Sequence, residues 1–265
     1  MNRRTHLAAA VLGIGAALLV AACSGSGSGA SPTTTRATTS TAAATTSTTS
    51  TSTTAAPTTT AAPKPCSSGD GTPPAGAVTK PIIDVDGDGK PDTGWVASST
   101  DGTVTVGIET AAGGGDSMPF ESASPVERSM LVVDADEQPP AEIILSDGRG
   151  ATLYAWVDCT IAPVRNPQGQ TYAFDLGDRI GTGSGIGCAA TADGRRLVGL
   201  NRQATTGSTV PWSQTVIELD GTSARNGAKT TGTYTSPGDD AQIELLDQIT
   251  CGAITMQADG ITLQQ

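Results

Sequence analysis

The stretch Ile82-Ile83-Asp84-Val85-Asp86-Gly87-Asp88-Gly89-Lys90-Pro91-Asp92 decides how the rest of this chain is read. Carboxylates stand at the first, third, fifth and ninth places of the segment that begins at Asp84, and Gly87 and Gly89 let the backbone turn sharply between them. Carboxylates packed this closely repel one another unless a counter-ion sits among them. A short loop that wraps oxygen ligands around one hard cation relieves the repulsion, and Ca²⁺ is the ion expected here. The twelfth place is Trp95 rather than Glu, so the loop is not an EF-hand. A structural role is expected of the ion.

Working outward, the pattern returns 50 residues later as Val132-Val133-Asp134-Ala135-Asp136, with Glu142 in the place of Asp92. Gln138 supplies a neutral oxygen at the fifth place, while Pro139 stands where the first copy has a turn-forming glycine. Asp134, Asp136, Gln138 and Glu142 form a possible second metal loop. Residues 189–198 keep only the Asp193-Gly194 pair. Between these copies short β-prone runs alternate with glycine turns: 103–108 after Asp101-Gly102, 153–157 after Asp147-Gly148, and 216–219 before Asp220-Gly221. Helix-forming sequence is confined to residues 239–248. Closely spaced turn signals predict an all-β fold. A period near 50 residues with several strands per unit is how propeller blades read in sequence.

Asp-x-Asp-Gly-Asp-Gly-x-x-Asp between two apolar runs resembles the FG-GAP, or VCBS-type, repeats of integrin α-chains and bacterial β-propellers. The resemblance implies side-chain oxygens from Asp84, Asp86, Asp88 and Asp92, and a backbone carbonyl from Lys90. It implies a small or degenerate β-propeller, since the 200 residues from Cys66 onward suffice for about four four-stranded blades.

The N-terminus carries an address. Arg3 and Arg4 precede an apolar run over residues 7–22, shorter than the ~20 residues a membrane-spanning helix needs and suited to a secretory signal. Leu19-Val20-Ala21-Ala22-Cys23 resembles the lipobox of bacterial lipoproteins. That implies removal of residues 1–22, lipidation of Cys23 and anchorage at the outer face of the cytoplasmic membrane. Residues 23–65 are almost wholly Ser, Thr, Ala, Gly and Pro, and their only charges are Arg36 and Lys64. With no large side chain to bury, nothing offsets the entropy of ordering them, so a disordered stalk is expected. Such stalks are similar to those of actinobacterial envelope lipoproteins.

The domain expected over residues 66–265 holds all 26 acidic residues against 11 Lys and Arg, a net charge of −15. That disfavours nucleic acid as a partner. Cys66, Cys159, Cys188 and Cys251 are an even set in an exported chain and read as two disulfides, with Cys159–Cys188 and Cys66–Cys251 as the expected pairs. The chain's one histidine, His6, lies in the signal segment, so Ser/His/Asp and Cys/His catalysis lack a base. The glycine run from Gly181 to Gly187 has neither the spacing nor the lysine of a phosphate loop, and no nucleotide is expected. Trp95 and Trp156 are expected in the core rather than on a sugar-stacking surface with Trp212.

The function expected is non-catalytic: a Ca²⁺-stabilised domain, held at the membrane by a lipid anchor, that binds an envelope protein or a cell-wall component. The alternative is a histidine-free glycan hydrolase using two carboxylates, with Asp175 and Asp178 near Arg179 as the cluster to inspect.

Overall fold

The apolar runs flanking the acidic loops extend into strands, buried on both faces around the second loop and only partly buried on the strand before the first. The computed structural model describes residues 65–124, 126–177 and 182–263. The signal segment, Cys23, the stalk up to residue 64, Asp178 and Arg179 lie outside the described residues.

The fold is all-β, as the turn spacing predicts. Strands β1 (Val78–Ile82), β2 (Asp92–Ser98), β3 (Val104–Glu109) and β4 (Gly115–Pro119) form a first antiparallel meander. Strands β5 (Arg128–Val133), β6 (Glu142–Ser146), β7 (Gly150–Val157) and β8 (Thr160–Pro163) form a second. There β9 (Ala173–Asp175) pairs with the first residues of β7. The third comprises β10 (Gly183–Thr191), β11 (Gly194–Arg202), β12 (Thr209–Asp220) and β13 (Ser223–Thr235). A short helix α1 (Asp240–Leu245) and the hairpin β14 (Thr250–Cys251)–β15 (Ile254–Thr255) follow. The last strand, β16 (Ile261–Leu263), returns to the free edge of β5. None of the three meanders closes on itself.

The second sheet lies between the other two. Met130, Val132, Ile143, Leu145 and Trp156 pack with Val96, Val106 and Ile108 of the first sheet. Leu131, Val133, Ile144 and Leu153 on its opposite face pack with Ile186, Leu197 and Ile217 of the third. Every residue of β5 is therefore buried, which is why Met130-Leu131-Val132-Val133 reads as an unbroken apolar run. Trp95 and Trp156 are core residues, and the Trp95 indole N–H donates to Gly71 O at 2.6 Å. Trp212 lies apart from both, stacked on Tyr234.

The cysteines correct the expected pairing. The bonds are Cys66–Cys159, with Cα atoms 5.6 Å apart, and Cys188–Cys251, with Cα atoms 4.6 Å apart. Neither Cys159–Cys188 nor Cys66–Cys251 forms. Cys66 and Cys159 belong to the core between the first and second sheets, and Cys188 and Cys251 to the core between the second and third. The expected bridges would have had to cross the middle sheet. The glycine run is also explained, since a side chain at Gly185 in β10 would meet the backbone oxygens of Gln248 and, 2.7 Å away, Leu246. Gly183 and Gly185 let the segment after α1 lie directly on the strand, while Gly187 faces the Leu200 and Val198 side chains.

Candidate metal-binding loops

Both acidic loops occupy the same place, the connection between the first two strands of a meander: β1 to β2, and β5 to β6. The third meander has the Asp193-Gly194 turn there, between β10 and β11, with no carboxylate cluster. A tight connection between paired strands draws its alternate carboxylates together.

In the first loop, carboxylate oxygens of Asp84, Asp86 and Asp88 lie within 4.8 Å of one another. Backbone N–H groups already satisfy much of this cluster. Asp84 accepts from Gly87 at 2.7 Å, from Asp88 at 3.2 Å and from Gly89 at 2.7 Å. Asp88 accepts from Lys90 at 2.8 Å, and Asp86 accepts from Asp88 at 3.2 Å and from Cys66 at 2.7 Å. The left-handed conformation of Gly87 and Gly89, with φ of 74° and 85°, aims the peptides inward. Asp92, the ninth-place carboxylate, stands outside the cluster. It is 1% exposed, with Oδ2 accepting from Val85 N–H and Oδ1 from Ala111 N–H, both at 2.8 Å. Burial pushes its carboxyl above the usual range, against those two hydrogen bonds, with the charges of Asp86 and Asp84 adding to the rise. Asp92 is placed as the latch that closes the loop onto the turn after β3. Lys90 reaches the cluster through its N–H.

In the second loop the cluster is Asp134, Asp136 and Glu142, again within 4.8 Å. Glu142 repeats the latch, accepting from Ala135 N–H at 2.7 Å as Asp92 does from Val85. One methylene longer, it also reaches the cluster. It is 3% exposed, and burial, reinforced by the charges of Asp136 and Asp134, pushes its carboxyl up to about 8. Asp136 accepts from Gln138 N–H at 3.1 Å, and the Gln138 side chain turns to Glu137 O. Asp134 Oδ1 is buried with no hydrogen-bond partner. In the first loop the corresponding oxygen, Asp84 Oδ1, accepts from Gly87 and Asp88 N–H, whereas here Gln138 N–H goes to Asp136, and Pro139, in the place of Gly89, has no N–H to give.

Comparison with known protein families, with curated proteins and with solved structures finds no match. The reading of these loops therefore rests on their own chemistry.

Two partners of the loops carry no local sequence signal. Arg195, from the β10–β11 turn, donates to Asp134 O and to Ala135 O and pairs with Glu137 at 3.4 Å, fastening the second loop to the third sheet. Cys66 joins Asp86 to the disulfide at the start of the domain. A pocket of about 500 Å³ between the loops is lined by Asp86, Pro139, Trp156 and Asp158 beside that disulfide. Asp175, named with the hydrolase alternative, is exposed and accepts from Gly177 N–H. No helix among the described residues is long and apolar enough to cross a membrane.

Proposed function

We propose that this chain is a non-catalytic, lipid-anchored extracytoplasmic protein whose β domain, stiffened by Ca²⁺ in its acidic loops, binds an envelope protein or a cell-wall component. The observation that carries the cation reading is the unpartnered, buried Oδ1 of Asp134, set beside Asp136 and the buried Glu142. A buried carboxylate oxygen without a donor costs several kcal/mol that a bound cation would recover. The oxygen-only ligand set suits Ca²⁺ over the softer transition metals. In the first loop Asp84, Asp86 and Asp88 would hold the ion, with the Lys90 carbonyl completing the set.

The three meanders are read as blades of a small, degenerate propeller of the FG-GAP type. Support comes from the repeated position of the acidic loops at the first hairpin of two successive sheets. Loops on such a scaffold vary without disturbing its core, which suits a binding role. The lipobox-like run ending at Cys23 and the Ser/Thr-rich segment after it support a reading in which this domain sits at the end of a membrane tether.

The test is thermal unfolding of the purified chain in Ca²⁺, in Mg²⁺ and in chelator. A calcium-specific rise of several degrees is expected. Identical melting in all three solutions overturns the cation reading. Replacing Cys23 with Ser should move the chain from the membrane to the soluble fraction.

A further inference from the structure

The loop that looks eroded in the sequence is the one left short of hydrogen-bond donors when no ion is bound. In the first loop each of Asp84, Asp86 and Asp88 accepts from at least one backbone N–H, and Asp84 is served on both oxygens. Those donors spread the charge of the three carboxylates over the surrounding peptides without any cation. In the second loop Gln138 N–H goes to Asp136 and Ala135 N–H to Glu142, and Pro139 has none to give. Asp134 accepts from no donor among the described residues, and its Oδ1 is sealed from water as well.

The latch carboxylate separates the two loops further. Asp92 gives both oxygens to N–H groups, those of Val85 and Ala111, and stands outside its cluster. Glu142 gives Oε2 to Ala135 N–H and yet belongs to its cluster, at 3% exposure. A carboxylate buried that far attracts a cation through little screening water. Arg195 does not stand in for the ion. Its hydrogen bonds go to the carbonyls of Asp134 and Ala135, and its ion pair is with Glu137, outside the cluster.

We propose that Ca²⁺ fills the second loop before the first, at about one tenth of the concentration, with Asp134, Asp136 and Glu142 as its carboxylate ligands. The inference rests on the cation reading above and ranks its two sites in the order opposite to the one their motifs suggest. Affinity is measured against the ion-free protein. In the first loop an ion competes with hydrogen bonds that are already made. In the second it meets a buried oxygen with no partner, and relieving such a group corresponds to a factor of about ten in affinity. Filling the second loop also reaches the third sheet, because Arg195 grips the carbonyls of Asp134, a ligand, and of its neighbour Ala135.

Nuclear magnetic resonance of the full-length chain during a Ca²⁺ titration tests the order. The Gly87 and Gly89 amides report the first loop, and the Ala135 and Gln138 amides report the second. The second pair should reach half of its shift at about one tenth of the Ca²⁺ that moves the first. Amide exchange at Gly194 and Arg195 should slow over the same range as the second pair shifts. Glu142→Gln, which keeps an oxygen for Ala135 N–H, should raise the second midpoint at least about tenfold and leave the first unchanged. Asp136→Asn, at a half-buried position, makes the same test should Glu142→Gln fail to fold. First-loop amides that move ahead of the second or together with it overturn the proposal, as does a second midpoint that neither variant shifts. The two readings fail separately. If none of the four amides responds to Ca²⁺, the cation reading itself falls, whereas if Gly87 and Gly89 lead, only the order does.

Discussion

The backbone N–H of Cys66 donates to Oδ2 of Asp86 at 2.7 Å, so the first acidic loop is tied to the residue that also bonds Cys159. Cys66 O in turn accepts from Thr110 and from Gly114 N–H, binding the start of the domain to the end of the first sheet. The bridge spans 93 residues, a loop whose closure entropy corresponds to roughly 4.7 kcal/mol. Replacing Cys66 and Cys159 by Ser should lower unfolding free energy by up to about that amount in urea titrations. It should also shrink the calcium-dependent part of the melting temperature. An undiminished calcium response would show that the first loop keeps its shape without the bridge.

Glu142 makes stability depend on pH in the ion-free protein. Its carboxyl titrates at about 8 when folded against about 4.5 when free, so the folded chain holds the proton more tightly. Its contribution is therefore full below about pH 4.5 and is lost as pH rises toward about 8, a change of a few kcal/mol. Urea midpoints in chelator should fall over that window, and Glu142→Gln should flatten the fall. Ca²⁺ added at pH 8 should restore wild-type stability, because the ion takes the place of the proton.

Arg195 is a cross-sheet fastener. Arg195→Ala removes two charge-assisted hydrogen bonds to carbonyls and a partly exposed ion pair with Glu137. A loss of about 2 kcal/mol is expected. Hydrogen exchange should quicken at the second loop and the β10–β11 turn while the first sheet stays protected.

Gly185 and Gly187 should respond differently to the same methyl group. Gly185→Ala drives its Cβ into the backbone oxygens of Leu246 and Gln248 and should cost about 2–3 kcal/mol. At Gly187 the nearest atom is the end of the Leu200 side chain, 3.1 Å away, which can swing aside. Gly187→Ala should therefore be close to neutral by thermal melting.

Asp84→Ala with Asp88→Ala removes two of the three clustered carboxylates of the first loop and the hydrogen bonds they accept. The double variant should lose part of the calcium-dependent rise in melting temperature. Asp134→Asn in the second loop should remove the remainder. A full calcium response in the combined variant would place the ion elsewhere.

Much of this fold was legible in the chain because its signals are local. Strand runs and Asp-Gly turns at 101–102, 147–148 and 220–221 are set by side-chain alternation and by left-handed glycines at 102, 148 and 221. The acidic clusters were legible for the same reason, since their carboxylates lie within nine residues of one another. The substitution of Pro139 for glycine, which reads as erosion of the second loop, removes the N–H that Gly89 gives to Asp84 in the first.

By itself the sequence determined the all-β class and, Asp92 apart, which carboxylates come together, because each follows from neighbours along the chain. Only the tertiary structure decided that Cys66 joins Cys159, that Asp92 latches its loop outside the cluster, and that Arg195 reaches the second loop. The disulfide and the Arg195 contacts depend on which face of the middle sheet each residue meets, and the Asp92 latch on how its loop meets the turn after β3. That choice is set by how three sheets stack to bury both faces of the second, and spacing along the chain does not encode it.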